Sequence, residues 1–581
     1  MMAGLPSLLD AQPRTYIRIN QLGYLPTSPK TAVACSLDSV SIRTFMIQDT
    51  EGRVVYGPRK ATPSGSFAAC VSTHRLDFSG FSKPGRYTIV AGGAASPPVI
   101  IDAKAYKGAA DSLLVYMRQQ RSGFNTVIKD SIHKYDGKIV DHPTRNDEFI
   151  NVSGGWADAS DYLQYVTTSA NATFAMAMAY RDNPKAFGDA FDARGLAGAN
   201  GVPDVIDEVK HGLDWLLRMY PGGEDMFNQL GDDRDHMYFD LPWNDSADYG
   251  WGKGKYRPVY PCTGKPQGLI KAKNRSTGYA STAGKYAAAF GISAALFKES
   301  DPAFAETLRA RALAAYRLGR QHPGVCQTAP ARSPYFYEED NWHDDMELGA
   351  ASLVDATGQI HFLGDALVHA RNEPVTPWMG KDTANHYQWY PWHNNGHYEI
   401  WRNGSAGEKA QMAAFYRRGL DAVIARAGNG FRMGVPFIWC SSNLIASFAT
   451  QAHLYRKMTG DKRYLEYEAA ALDWLLGANP WGVSMIIGIP SWGNFSRDPH
   501  AVIPTRIKGY RLTGGMLDGP VYSSIFKSLL GIRLISPDEY APFNTGFIVY
   551  HDDLGDYSTN EPIMDGTANL TYLFAAMEAG R

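Results

Sequence analysis

Carboxylate side chains form two short motifs that lie far apart in the sequence. Asp158 and Asp161 stand three positions apart after Gly154–Trp156, and on a turn or helix start this spacing puts both on one side. One member of such a pair can hold a water molecule that the other deprotonates. Glu561, near the other end of the chain, follows Tyr557; an acid among aromatic rings loses solvation and keeps its proton closer to neutral pH. Each motif also fits a structural role, as a helix cap or a surface turn.

A third acidic cluster covers residues 338–347. So many acids repel one another unless a cation neutralises them, and hard oxygen ligands suit calcium better than zinc. Oxygen ligands from this run would suit a structural calcium ion. A charged helix N-terminus, stabilised by the helix dipole, is the alternative, and the pattern favours neither.

The elements that position these residues change in type near residue 104. Before it, short runs rich in β-branched and aromatic residues are separated by Gly and Pro, which is typical of a small antiparallel sandwich over 15–103 after a tail, 1–14. The predicted strands are Tyr16–Ile19, Thr31–Ala34, Thr44–Ile47, Val54–Tyr56, Thr73–Leu76, Tyr87–Val90 and Val99–Ile101.

After residue 104, long segments with helical spacing predict twelve helices in a mainly α domain over 104–581. Twelve helices joined by long loops fit a toroid of six inner and six outer helices, and loops as long as 221–277 and 478–521 are usually functional. The predicted helices span 105–121, 161–181, 203–219, 278–298, 302–320, 344–356, 360–371, 408–427, 442–458, 462–477, 522–530 and 565–579.

Composition limits the classes of partner. The 59 acidic and 57 basic residues give a formal charge of −2, so nothing in the charge favours nucleic acid or an anionic membrane. No apolar run reaches the ~18 residues of a membrane span. We expect a monomer with neither nucleic-acid nor membrane partners.

The cysteines are five in number, widely spaced and without a CxxC motif, which argues against a disulfide scaffold and a structural zinc site. Cys35 and Cys70 lie in one segment and could pair, but buried free thiols are expected. Met1–Pro13 shows no signal peptide. We nevertheless expect a secreted or periplasmic protein.

With these motifs in place, the sequence resembles the inverting glycoside hydrolases of family nine, the cellulase family with an N-terminal immunoglobulin-like domain. Ile17–Tyr24 resembles the opening strand of the accessory domain, and Gln120–Gly123 resembles the entry to the catalytic barrel. Residues 158–161 match the family's Asp-Ala-Gly-Asp signature with Ser160 in place of glycine. Asn560-Glu561 matches its C-terminal acid motif.

The resemblance implies a fold and three catalytic roles. The fold is mainly α: an (α/α)6 barrel preceded by a small immunoglobulin-like β-sandwich. Asp161 would be the general base that activates water, with Asp158 helping to hold that water. Glu561 would be the general acid that protonates the leaving oxygen. No cofactor is required for this chemistry. The acidic run matches the family's calcium loop in position, which implies a structural Ca2+ with the ligands Asp340, Asn341, Asp344 and Asp345.

The resemblance also implies the residues that bind the sugar. His236 lies in the segment that lines the catalytic subsite, and His500 resembles a later histidine motif. Ala501 and Val502 replace that motif's second His and its adjoining Arg, and the segment from Trp439 lacks its usual final Arg. The expected substrate-binding residues are His236, Trp342, Trp389, Trp439, His500 and Tyr557.

The predicted function is endo-acting hydrolysis of a β-1,4-glucan, either cellulose-like or of mixed linkage. An exo-acting β-glucosaminidase or cello-oligosaccharide hydrolase of the same family is an alternative, because the long loops at 221–277 and 478–521 could block one end of a cleft. A non-catalytic carbohydrate-binding protein is a further alternative, although all three carboxyls are present. A polysaccharide lyase would favour a basic cleft, which the charge balance does not indicate.

Overall fold

The N-terminal domain is an immunoglobulin-like sandwich of two sheets. The computed structural model describes residues 14–235, 239–333, 337–381 and 393–580. One sheet has the order β1-β2-β6-β5 and the other β4-β3-β7-β8, with β9 paired to β7. The strands are β1 Thr15–Arg18, β2 Thr31–Ser36, β3 Thr44–Gln48, β4 Val54–Lys60, β5 Thr62–Pro63, β6 Ser72–Asp77, β7 Gly85–Ala91, β8 Ala94–Ala95 and β9 Val99–Ile101.

Alternation along the strands forms the core of the sandwich. Phe45 and Ile47 on β3, and Tyr87 and Ile89 on β7, are buried while their neighbours are more exposed. This period of two turns one face of each strand toward the opposite sheet. We propose residue 103 as the end of this domain, because β9 ends before it and the first helix follows.

A disulfide joins Cys35 to Cys70, so the expectation of free thiols at these two positions was wrong. β2 and β6 are adjacent antiparallel strands in which Cys35 lies opposite Thr73. A turn with paired ends at Phe67 and Cys70 precedes β6, and it brings the Cα atoms of the two cysteines to 5.0 Å. The strand register, which cysteine spacing does not contain, creates this pair. In the described part of the chain, the other three cysteines are buried and form no disulfide.

Removing this disulfide should lower the stability of the sandwich. The bond links residues 35 positions apart, and closing a loop of that size is worth about 3–4 kcal/mol through the unfolded chain. We expect the double variant Cys35→Ser/Cys70→Ser to melt several degrees below the parent in calorimetry. The parent protein, heated with and without reductant, separates the effect of the bond from that of the substitutions. Equal melting of parent protein with and without reductant would contradict a formed disulfide.

The second domain contains fifteen helices within the described residues. All twelve predicted helices are present, with ends that differ by a few residues. The helices are α1 Ala109–Gln119, α2 Val166–Asp182, α3 Asp204–Met219, α4 Ala280–Phe297, α5 Pro302–Gln321, α6 His343–Thr357, α7 His361–Asn372, α8 Pro377–Gly380, α9 Gly396–Asn403, α10 Ala406–Ile424, α11 Ser441–Thr459, α12 Leu465–Leu475, α13 Val502–Arg506, α14 Ser523–Ser528 and α15 Met564–Glu578.

Six of these helices form a closed inner ring. Contacts run from α2 to α4, α6, α9, α11, α15 and back to α2, while α1, α3, α5, α7, α10 and α12 pack outside it. The long inner helices are buried over nearly all of their surface, whereas α5 and α10 bury one side only. A helix that is apolar all round must be enclosed by others. The domain is therefore an (α/α)6 barrel.

One member of the ring differs from the predicted set. The inner helix α9 is only Gly396–Asn403, too short for its helical period to stand out in the sequence. The predicted helix at 522–530 forms as α14 but packs against two short strands and lies outside the ring. Every helix in the described ranges is too short or too polar to cross a lipid bilayer.

Short paired strands order the long loops of the barrel. They pair as β10-β11, β12-β15-β14-β13, β16-β19 and β17-β18. Their bounds are β10 Gly123–Asn125, β11 Asp130–Ile132, β12 Lys138–Ile139, β13 Gln164–Tyr165, β14 Phe227–Leu230, β15 Pro258–Pro261, β16 Met516–Leu517, β17 Val521–Tyr522, β18 Ile548–Val549 and β19 Pro562–Ile563.

Candidate active site

The loop that carries Asp158 and Asp161 is fixed by its neighbours. Gly155 has φ +74°, and a Cβ there would lie 2.7 Å from the Trp215 ring, so a side chain would clash as well as strain the backbone. The side-chain amide of Gln120 donates to the carbonyls of Ala157 and Ala159 at 3.2 and 2.5 Å. The residues that resembled a barrel entry thus hold the acidic loop in place.

Glu561 reaches the same site from the C-terminal part of the chain. It lies between the loop that ends at Asn560 and strand β19, which pairs with β16 and leads directly into α15. The backbone N–H of Met564 donates to the carbonyl of Asp158 at 3.0 Å. The backbone N–H of Ser160 donates to Oε1 of Glu561 at 2.9 Å. Two motifs from opposite ends of the chain therefore form one site.

Asp158 is surrounded by hydroxyl groups and acids. Its two carboxylate oxygens accept hydrogen bonds from the hydroxyls of Thr168, at 2.6 Å, and Tyr337, at 2.5 Å. Burial raises the pKa of Asp158 well above its usual range, and the nearby Asp565 raises it further, while the two hydroxyls oppose the shift. Tyr337 and Asp565 were not predicted, because no local pattern marks a residue that joins the site from a distant loop or helix.

Asp161 lies in a turn rather than on a helix. The helix predicted to begin at residue 161 begins at Val166, after strand β13. Oδ1 of Asp161 accepts the backbone N–H of Leu163 at 2.9 Å, which is a turn typical of Asp. This turn, which leads through β13 into α2, sets the position of the Asp161 carboxyl in the loop.

Glu561 has a raised pKa. Burial is the main cause; the charge of His500 opposes the shift, that of Asp161 adds to it, and the hydrogen bonds from Ser160 oppose it. A carboxyl with this balance keeps its proton at higher pH than an exposed glutamate does. Such a group suits a general acid.

Asp518 is a further carboxyl at this site that sequence reasoning missed. It is fully buried, and its backbone N–H donates to the carbonyl of Glu561 at 2.8 Å. Its side chain accepts from Nε1 of Trp439 at 3.0 Å and from Sγ of Cys440 at 3.0 Å. Burial, and next the charge of Glu561, raise the pKa of Asp518 well above its usual range. Its neighbours in sequence carry no acidic motif.

Aromatic rings extend from Asp518 past Glu561. Trp439 stacks on Tyr557 with ring centroids 5.7 Å apart, Tyr557 meets His500 edge-on at 6.1 Å, and His500 lies 4.6 Å from Phe239. Nδ1 of His500 donates to the carbonyl of Leu554 at 2.5 Å, which fixes the ring. The structure thus brings the predicted Trp439, Tyr557 and His500 together beside the acid. Phe239 was not predicted.

The other predicted sugar-binding residues are not part of this row. The Trp342 ring stacks on His343 at 4.2 Å and lies 5.5 Å from His369, and it makes no described contact with the three acids. His236 and Trp389 lie outside the described residues.

The four predicted calcium ligands do not converge. Asp340 is on the surface, where Arg275 binds it at 3.2 Å, and the Asn341 amide donates to Asp344 at 2.8 Å. Asp345 faces the buried Lys285, whose Nζ is 2.8 Å from Oδ2 of Asp345. Within the described ranges, His, Cys, Asp and Glu side chains nowhere gather in threes as metal ligands. The four residues do not fit the expected ion, and Lys285 supplies positive charge in its place.

The inner helices begin at one end of the barrel, and the acids lie there. Thr167 at the start of α2 binds Glu339 just before α6. The side-chain amide of Asn443, near the start of α11, donates to Asp565 near the start of α15 at 3.1 Å. Its oxygen Oδ1 accepts from Nε2 of His393, just before α9, at 2.8 Å. Helix N-termini carry partial positive charge, so this end of the barrel stabilises carboxylates.

Comparison with known proteins agrees with this geometry. The profile of Glycosyl hydrolase family 9 matches residues 106–574, and that of the cellulase N-terminal ig-like domain matches residues 12–96. Endoglucanase C of Cellulomonas fimi is 26% identical over 97% of this chain and 52% of that protein, so the chain spans about half its length. A xyloglucan-specific endo-beta-1,4-glucanase of Bacteroides ovatus is 23% identical over 98% of this chain and 94% of its own.

Solved structures share the whole fold. The crystal structure of a metagenome-derived glycoside hydrolase family 9 endoglucanase covers 97% of this chain and 99% of its own with a TM-score of 0.76 at 24% identity. The thermostable endoglucanase of Alicyclobacillus acidocaldarius, solved as a single mutant, covers 97% and 99% with a TM-score of 0.74 at 20% identity. With the family profile spanning most of the sequence, this chain belongs to glycosyl hydrolase family 9.

Proposed function

We propose that the protein is an inverting glycoside hydrolase that acts on β-1,4-glucan, either cellulose-like or of mixed linkage, and cuts it at internal bonds of the polysaccharide. The observation that carries this proposal is the junction of the two acid motifs, where Ser160, next to Asp161, binds the carboxylate of Glu561. The carboxyls that we propose as base and acid thereby belong to one site. Inversion requires them on opposite sides of the sugar, with a water molecule between base and sugar.

The reaction follows from the environment of each carboxyl. Glu561, whose pKa is raised, donates its proton to the glycosidic oxygen as the bond to the anomeric carbon breaks. Asp161 removes a proton from water as the water oxygen attacks that carbon from the opposite face. Asp158 helps to hold this water. The carboxyls of inverting enzymes lie ~6.5–9.5 Å apart to leave room for it. No cofactor takes part in this proposal.

A neutral glucan suits the aromatic row beside Glu561. Sugar rings have apolar C–H faces that pack on aromatic side chains. The ring stack of Trp439 and Tyr557 offers such a face, and the near-zero net charge gives no attraction for acidic polymers. The endoglucanase names of the relatives support the same class of substrate.

One observation favours a second candidate, exo action on cello-oligosaccharides. The two long loops meet beside Asp161, where Leu241 of one packs with Val502 and Ile503 of the other in a buried apolar cluster. Arg506 also donates to the carbonyl of Phe239 at 3.0 Å. Ala501 and Val502 thus occupy the positions at which the family's motif has a sugar-contacting His and Arg. A wall at this place would end the cleft and direct cleavage to chain ends.

The two modes differ in how they change a polymer. Internal cuts should lower the viscosity of carboxymethyl cellulose or mixed-linkage glucan long before much reducing sugar is released, whereas trimming of ends should release sugar with little change in viscosity. We expect the first pattern. Early release of a single short product, with viscosity unchanged, would show that the enzyme acts on chain ends and would contradict endo action. Binding without any release of sugar would indicate a carbohydrate-binding protein.

We also propose a secreted or periplasmic location and a monomer. The disulfide between Cys35 and Cys70 supports the location, since such bonds persist in oxidising compartments. The structural Ca2+ expected at Asp340, Asn341, Asp344 and Asp345 is not part of this proposal, because these four side chains do not converge in the described structure.

A further inference from the structure

Ser160 binds the acid through two donors. Its backbone N–H and its hydroxyl both donate to Oε1 of Glu561, the first at 2.9 Å. Oε2 of Glu561 makes no hydrogen bond within the described part of the chain. The two oxygens of one carboxyl group therefore have different surroundings, and the difference comes from a single residue.

We propose that Ser160 is a positioning residue that fixes which oxygen of Glu561 carries the transferable proton. This inference rests on the proposed function, in which Glu561 is the general acid. A protonated carboxyl oxygen donates and is a weak acceptor, so an oxygen that already accepts two hydrogen bonds leaves the proton to the other. Oε2 then carries the proton and delivers it to the glycosidic oxygen.

Ser160 is itself well fixed. The carbonyl of the preceding Ala159 accepts from Gln120 at 2.5 Å, and the carbonyl of Asp158 accepts from the backbone of Met564 at 3.0 Å. Glycine, the residue of the matching family signature, keeps the backbone donor but has no hydroxyl. The serine therefore adds a second donor that favours the ionised acid, and it counteracts the effect of burial on Glu561.

The pH profile tests this role. Loss of the hydroxyl removes a donor to the ionised form, so the pKa of the acid rises and activity persists to higher pH. In Ser160→Ala, we expect the alkaline limb of kcat/KM to move up by about one pH unit. Ser160→Gly should behave like Ser160→Ala, because glycine can adopt any backbone conformation. Ser160→Thr keeps a hydroxyl and should show the same alkaline limb as the parent. Ser153→Ala, which removes a hydroxyl that donates to Asn151 in the same loop, is the matched control.

Leaving-group dependence separates positioning from a merely structural role. Ser160→Ala should lose about tenfold in kcat on cellotetraose, yet stay near the parent rate on 2,4-dinitrophenyl β-cellobioside, whose leaving group needs little protonation. An unmoved alkaline limb with equal losses on both substrates would overturn the inference. A parent enzyme without hydrolytic activity would instead overturn the proposed function, so the two failures are distinct.

Discussion

Glu561→Gln should abolish most hydrolysis of unactivated glucan. The amide keeps the size of the side chain and can still accept from Ser160, but it has no proton of suitable acidity for the leaving oxygen. General acid catalysis typically contributes ~10²–10⁴-fold, and we expect a loss of kcat on cellotetraose in that range. Reducing-sugar release at the optimum pH of the parent measures it.

The pH dependence gives this variant an internal control. Because the pKa of Glu561 is raised, mainly by burial, activity of the parent should fall as pH rises through that value and the acid loses its proton. On 2,4-dinitrophenyl β-cellobioside, Glu561→Gln should keep most of its rate and lose the alkaline limb. If the variant hydrolysed cellotetraose as fast as the parent, Glu561 would not be the acid.

Asp161→Asn should lose activity whatever the leaving group. The base acts on the attacking water, so easier departure of the aglycone does not replace it. We expect kcat to fall by ~10²–10⁴-fold on cellotetraose and by a similar factor on the dinitrophenyl substrate. Initial rates on the two substrates, taken side by side with those of Glu561→Gln, distinguish base from acid.

Asp214→Asn is the matched control for this substitution. Asp214 is a half-exposed acid of α3 that pairs with Lys210 at 3.0 Å, so its loss should leave both rates unchanged. Recovery of Asp161→Asn activity on the activated substrate alone would contradict the role of base. It would place Asp161 on the leaving-group side of the sugar instead.

Local patterns were sufficient for most of the framework. Helical spacing predicted all six outer helices and five of the six inner ones, because long amphipathic or apolar segments carry a clear period. The inner α9, with only Gly396–Asn403, carries too few turns for this signal. Its helical state depends on packing between α6 and α11, which sequence pattern does not contain.

The site could be predicted in part for a related reason. Asp158, Asp161 and Glu561 stand in short motifs, and the structure brings these motifs together. Tyr337 and Asp518 reach the same site from loops without a motif, and only the ring of helices places them there. The pairing of Cys35 with Cys70 likewise depends on the register of β2 and β6.

The acidic run shows the limit of arguing from charge alone. Repulsion among residues 338–347 indicates a nearby cation, and that inference holds for the buried acids. Lys285, from α4, lies 2.9 Å from Glu339 and 2.8 Å from Asp345. The neutralising charge thus belongs to a side chain far away in sequence, which composition does not distinguish from a bound ion.

The anomeric form of the first product tests the central claim most directly. Proton NMR of cellotetraose hydrolysis, recorded before mutarotation equilibrates the anomers, reports which face of the sugar the water attacked. A water between Asp161 and the anomeric carbon, with Glu561 on the other side, predicts that the new reducing end appears first as the α anomer. A product that appears first as the β anomer would contradict this arrangement of base, water and acid.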